Sequence, residues 1–167
     1  MGWFVLYGVD RIRIIPRAGT LNSTDETFIQ RSRAIASIVA AAHKLFREVT
    51  QCVKTHKLTE SQYNALRILR GAERRHEQLT QAELAERLIA SRANTTWILD
   101  RLEERKLITR KGHTDRRKNL VELTAAGHKL LTKIDPDFDA MLTRVLGHIP
   151  MTDLQTMMTT LSALKFE

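Results

Sequence analysis

The feature that most constrains this chain is a single change of hydrophobic period. From Thr24 onward Pro and Gly become scarce for about a hundred residues and apolar positions recur every three or four, the spacing of helices that bury one face. Only once does the period drop to two, across Leu107-Ile108-Thr109-Arg110-Lys111 and Asn119-Leu120-Val121-Glu122-Leu123. The intervening Gly112-His113-Thr114-Asp115-Arg116-Arg117-Lys118 is rich in turn formers, so the pair predicts a β-hairpin with a charged tip. The expected fold is therefore mostly α with one small hairpin. Its 167 residues suffice for a core without disulfides or metal staples. No apolar run approaches the roughly 18 residues of a membrane-spanning helix.

Capping signals divide the helical part. Leu58-Thr59-Glu60-Ser61-Gln62-Tyr63 and Leu79-Thr80-Gln81-Ala82-Glu83-Leu84 each place a Thr hydroxyl three residues before Gln or Glu, with flanking apolar residues that can close a staple. The second signal opens a short helix over 81–88. Ile89-Ala90-Ser91 then separates it from another helix running to about Arg105, which makes a helix-turn-helix. In that second helix Thr95, Ile98, Leu99 and Leu102 share one side and Ala93, Thr96, Trp97 and Asp100 the other. Upstream, Ile35, Ile38, Ala42, Leu45, Val49 and Cys52 form a seam on a helix expected over 25–54, to be covered either within the chain or by a partner subunit.

Downstream, Thr124 is placed to cap a helix carrying Leu131, Ile134, Phe138, Met141, Leu142, Val145 and Ile149, interrupted at Asp135-Pro136, where the missing donor predicts a kink. Pro150 closes it. Thr152-Asp153-Leu154-Gln155 reads as a further capping box for a last helix with Met157, Met158, Leu161 and Leu164 inward. The opening stretch to Ser23, broken by Gly2, Gly8, Pro16 and Gly19, is expected to be an extension and carries no clear leader pattern.

Charge points to the partner. The net charge is +8, and between Arg105 and Lys118 seven basic residues face Asp115 alone. A basic hairpin directly after a helix-turn-helix suits a polyanion, with the helix placed against base edges and the hairpin reaching a flanking groove. Ser91, Arg92, Asn94, Thr96 and Trp97 on the helix, and Arg110, Lys111, Arg116, Arg117 and Lys118 on the hairpin, are the expected DNA contacts. Enzyme chemistry finds little support: there is no glycine-rich phosphate loop or nucleophile elbow, and none of the six histidines stand three or four apart. No cofactor or metal is expected. Cys52, the one cysteine, fits the apolar seam as a structural thiol, with oxidant sensing as the alternative.

Leu79–Leu131 resembles the winged helix-turn-helix of the MarR family of bacterial transcription regulators. The resemblance rests on Leu58-Thr59, Gln62-Tyr63 and Leu66, on Gln81-Ala82-Glu83-Leu84-Ala85, on Leu102-Glu103-Glu104-Arg105, on Asp115-Arg116-Arg117, and on Leu123-Thr124-Ala125-Ala126-Gly127. With flanking helices it extends over 25–167. The missing leader pattern and the single cysteine lead to the expectation of a cytoplasmic protein, and the resemblance implies a homodimer whose first and last helices interlock, segments 25–58 and 125–167 forming the dimerisation region and 59–124 the winged domain, with 1–24 outside. It also implies a pseudo-palindromic operator, repression, and release by a small aromatic or phenolic effector, for which His43, Phe46, His56, Tyr63 and Arg67 are the candidates. The family's wing motif falls on Asp115 and Arg117, the Arg entering the minor groove and the Asp orienting it. Lys106 departs from the pattern, which has Gly there, so it must adopt a left-handed conformation or end the helix differently. The competing class is a protein–protein adaptor built on a winged-helix scaffold, with RNA binding a weaker rival.

Overall fold

The computed structural model describes residues 23–88, 92–112 and 119–165. Its elements are α1 (Ser23–Lys54), α2 (Glu60–Arg74), β1 (Leu79–Thr80), α3 (Gln81–Leu88), α4 (Arg92–Glu104), β2 (Ile108–Gly112), β3 (Asn119–Leu123), α5 (Ala125–Leu146) and α6 (Met151–Ser162). The strands form one antiparallel sheet in the order β1-β3-β2. The chain divides into two compact units, Met1–Arg47 and Glu48–Glu167, with the boundary inside α1. The described part of the first is the α1 stretch up to Arg47, on which Phe28, Ile35, Ile38, Leu45 and Phe46 are exposed.

The second unit holds the core. Val53, Leu58, Tyr63, Leu66, Leu69, Leu84, Ile98, Leu99, Leu102, Ile108, Val121, Leu131 and Ile134 are buried in one cluster, drawn from every helix of this unit except α6 and from the sheet. Both capping boxes form. Thr59 Oγ1 accepts from the Gln62 amide while Gln62 Oε1 accepts from the Thr59 amide. Thr80 and Glu83 do the same at α3. The two-residue strand β1, absent from the sequence expectation, pairs Leu79 with Val121 and Thr80 with Leu120. Two residues are too few to display a period, and both already served as staple and cap in the linear reading.

Three loops share one solution to leaving a helix. Lys57, His76 and Lys106 have φ of 58°, 57° and 57°. In each case the next amide reaches back five residues: Leu58 N to Val53 O at 3.3 Å, Glu77 N to Ala72 O at 3.0 Å, Leu107 N to Leu102 O at 2.9 Å. These are left-handed helix terminations of the kind glycine favours, here carried by Lys, His and Lys. Lys106 thus takes the left-handed option, and Leu107 joins the core instead of opening the strand, so β2 begins at Ile108. Since a left-handed Cβ costs about 1 kcal/mol, Lys106→Gly should raise stability by roughly that amount in a denaturant melt; an unchanged or lower midpoint would show that the Lys stem contributes packing that offsets it.

Three expectations need correction. Helix α5 continues through Pro136 instead of being interrupted there. Pro136 and Thr132, the residue whose carbonyl loses its partner, both lie on the exposed side, where that carbonyl is accessible to solvent. At α6 the expected Thr152 box does not form. The helix starts two residues earlier with Pro150 as its N-cap, so Thr152 falls inside the first turn and its hydroxyl donates to Asp153. Nor do Met157, Met158, Leu161 and Leu164 point inward: all four are exposed and α6 buries none of its residues. Helix periodicity marks a face that needs cover; it does not say that the same chain provides it.

Candidate nucleic-acid interface

The core orders the helix-turn-helix. Thr95, Ile98, Leu99 and Leu102 are essentially inaccessible, which turns the opposite side of α4 outward. Gln81 Nε2 donates to Thr96 Oγ1 at 2.7 Å and fixes α3 against α4. On the outer side Ala93 and Asn94 are exposed, and Trp97 remains 51% accessible. The Arg101 guanidinium lies 5.9 Å from the Trp97 ring centre while pairing with Glu104 at 2.9 Å. An aromatic face and an arginine thus stand together one turn beyond Asn94. Ser91 lies outside the described residues, as does the Arg92 side chain.

The hairpin is anchored at its root. Thr124 joins three pieces of chain: its hydroxyl donates to the Lys106 carbonyl at 2.7 Å and accepts from the Gly127 amide at 3.1 Å, and its own amide donates to the Leu107 carbonyl at 3.1 Å. β2 and β3 pair in register from Ile108 opposite Leu123 to Gly112 opposite Asn119. Residues opposite one another share a face, so Arg110 and Val121 lie on the side of buried Ile108, while Lys111 and Glu122 lie on the other. There Lys111 pairs with Glu122 at 2.5 Å.

Arg110, expected as a DNA contact, is engaged internally. Its Nε donates to Glu103 Oε2 at 2.9 Å, its backbone amide to Glu103 Oε1 at 3.1 Å, and its Nη2 to Asp100 Oδ1. Partial burial works against its charge, but the bond to Asp100 and the two carboxylate charges outweigh that and hold its pKa above the ordinary value. Asp100 and Glu103 are site residues that the sequence reasoning misses. The signal was present, because period-two alternation puts Arg110 on the face of Ile108 and helical spacing puts Asp100 and Glu103 one turn apart. Asp115, Arg116, Arg117 and Lys118 at the wing tip lie outside the described residues.

The expected effector residues divide into groups. Tyr63, Arg67 and Phe138 converge: the Tyr63 and Phe138 rings are 5.0 Å apart, and the Arg67 guanidinium is 4.8 Å from the Phe138 centre and 5.8 Å from that of Tyr63. His56 instead pairs with Asp137 at 2.8 Å. His43 and Phe46 belong to the first unit. A cavity of about 560 Å³ between α1 and α5 is lined by Glu48, Cys52, Asp137, Met141 and Arg144 among others. Burial and then the Asp137 charge push the Cys52 thiol above its ordinary pKa, the wrong direction for a reactive thiolate. Among the described residues no group of three His, Cys, Asp or Glu is arranged to hold a metal ion, and no helix is long and apolar enough to cross a membrane.

Residues 58–119 match the model of the MarR family. No sequence among the curated proteins matches the chain. Among solved structures, it is similar to a MarR family transcriptional regulator from Silicibacter pomeroyi, with 25% identity, TM-score 0.70, and coverage of 78% of this chain and 86% of that one. AbsC, a MarR family transcriptional regulator from Streptomyces coelicolor, is 20% identical with TM-score 0.70, covering 86% and 93%. The Staphylococcus aureus MepR–DNA complex is 22% identical with TM-score 0.65, covering 75% and 88%.

Proposed function

We propose that this chain, whose residues 58–119 match the model of the MarR family, is a cytoplasmic transcription regulator that binds duplex DNA sequence-specifically as a homodimer. The observation that carries this reading is the two-sided build of α4: one side is locked into the core, while the other presents Asn94, Trp97 and Arg101 beside a basic hairpin. That division suits a recognition helix in a major groove, with Lys111, Arg116 and Lys118 on phosphates and Arg117 in the adjacent minor groove, oriented by Asp115. MepR, a structural relative, was solved on DNA. Segments 25–58 and 125–167 are the proposed dimerisation region and 59–124 the reading head. The uncovered apolar faces of α1 and of α6 support a second copy as their cover.

The proposed action is repression by occupancy of a pseudo-palindromic operator. Release would come from a small aromatic acid or phenol held at Tyr63 and Arg67, where a guanidinium beside two rings suits a carboxylate on an aromatic body. Such a ligand acts only through its differential affinity for dimer shapes that fit or miss successive grooves.

The direct test is selection of genomic duplex fragments by the purified protein at near-physiological salt, then titration of the winners against scrambled duplex. Recovery of an inverted repeat with half-sites about one turn apart is expected. On that repeat Arg117→Ala should weaken binding by about 1–3 kcal/mol with melting temperature and dimerisation unchanged. Equal affinity for every duplex, with little salt response, would move the reading to the adaptor class.

A further inference from the structure

The Asp100–Arg110–Glu103 cluster joins the two parts of the proposed DNA-reading surface that must keep a fixed relative position. Asp100 and Glu103 lie one turn apart on α4, and Arg110 is the third residue of β2. One guanidinium and one backbone amide of the hairpin therefore grip two carboxylates of the helix. The Arg110 side chain is only 21% accessible, against 49% for Asp100 and 41% for Glu103, so the cation sits inside and the acids shield it. Register agrees: Arg110 pairs with Val121 on the core-facing side of the hairpin, whereas Lys111, next in sequence, faces the other way. Two carboxylates against one guanidinium leave the cluster net negative, which argues against a phosphate contact.

We infer that Arg110 is a positioning residue, not a DNA contact: by bridging Asp100 and Glu103 it sets the attitude of the wing relative to α4, and through that the simultaneous fit of helix and wing to adjacent grooves. The inference rests on the DNA-binding reading above. A planar fork is required because two acceptors a helical turn apart, held together with the backbone amide, define an orientation that a point charge cannot. Losing the bridge frees the wing to rotate about its root. A correct operator then gains less from being correct, while nonspecific attraction to phosphate is little altered.

The test compares wild type, Lys111→Ala and the double variant Arg110→Gln/Asp100→Asn, which removes the guanidinium bridge, keeps the backbone amide bond to Glu103 and leaves the cluster's net charge unchanged. Binding to the selected operator and to scrambled duplex is titrated by fluorescence anisotropy across a salt series. For the double variant the expected result is an operator affinity lower by about tenfold or more, the scale of a mismatched base pair. Its scrambled-duplex affinity should stay within about twofold and its log–log salt slope should be unchanged, because no phosphate contact is lost. Lys111→Ala should weaken both duplexes and reduce the slope by about 0.9.

A slope reduced by about 0.9 in the double variant would make Arg110 a phosphate contact and overturn the inference. So would an unchanged operator affinity. Wild type that fails to distinguish the two duplexes would remove the DNA-binding reading itself and the positioning role with it. If circular dichroism shows the double variant unfolded, Arg110→Lys serves instead: it keeps the charge and loses the fork, and the same selective loss on the operator is expected.

Discussion

Gly127→Ala should be among the most damaging single-methyl additions to this chain, lowering stability by about 3 kcal/mol, the upper part of the range for overpacking. A Cβ at this position would stand 2.2 Å from the Leu107 carbonyl oxygen and 3.2 Å from Leu123 Cδ2. The first neighbour is backbone, and it cannot swing aside. Leu107 O accepts from the Thr124 amide, Leu107 N closes the end of α4, and the Gly127 amide donates to Thr124 Oγ1. Relief of the clash would therefore have to separate α5 from the root of the wing. For a chain of this size the melting temperature should fall by about 6–12 °C. Gly71→Ala is the control, because its Cβ would meet only Arg75 Nη1 at 3.6 Å. There the helix gains propensity, and stability should rise by up to about 1 kcal/mol. Equal melting temperatures for the two variants would mean that the close approach of α5 to the wing root is absent in solution.

Leu161→Glu should convert the proposed dimer to monomer and reduce operator affinity by about 10²–10⁴, since each half-site then binds without the effective concentration supplied by its partner. Met151, Met157, Met158, Leu161 and Leu164 are all exposed on and just after a helix that buries nothing. Large apolar side chains gathered in this way mark an interaction face more often than a solvent surface. A carboxylate introduced there would have to be desolvated without a partner if a second copy covered it, and would be harmless if water did. Sedimentation velocity separates these outcomes. A Thr159→Glu variant, exposed on the opposite side of the same helix, should stay dimeric. Wild type that sediments as a monomer would remove the homodimer from the proposed function.

The linear sequence was informative where the physics is local. Thr59 with Gln62 and Thr80 with Glu83 cap their helices because each pair lies within one turn. The four inward residues of α4 and the hairpin over 108–123 followed from their periods. Other readings failed where a local cue competed with chain context. The Thr152 signal was displaced by a helix already started at Met151, and Pro136 lies inside a continuous α5 with its turn toward solvent.

What the sequence by itself determined is the order of elements, the helix boundaries set by reciprocal caps, the sidedness of α4, and the concentration of positive charge after it. These depend on neighbours three or four residues away, or on composition, and survive any global arrangement. Tertiary structure alone decided which charges face outward and which are consumed within the fold. Arg110 and Lys111 are adjacent and alike in sequence. Yet one is gripped by Asp100 and Glu103 and the other lies on the outer face with Glu122. It likewise decided that Gly127 must have no side chain, through a carbonyl twenty residues earlier in the chain. The physical reason is the same in both cases. The partner of a cation and the space around a Cβ are set by whatever the fold brings within a few ångströms, and no period or spacing along the chain records that neighbour.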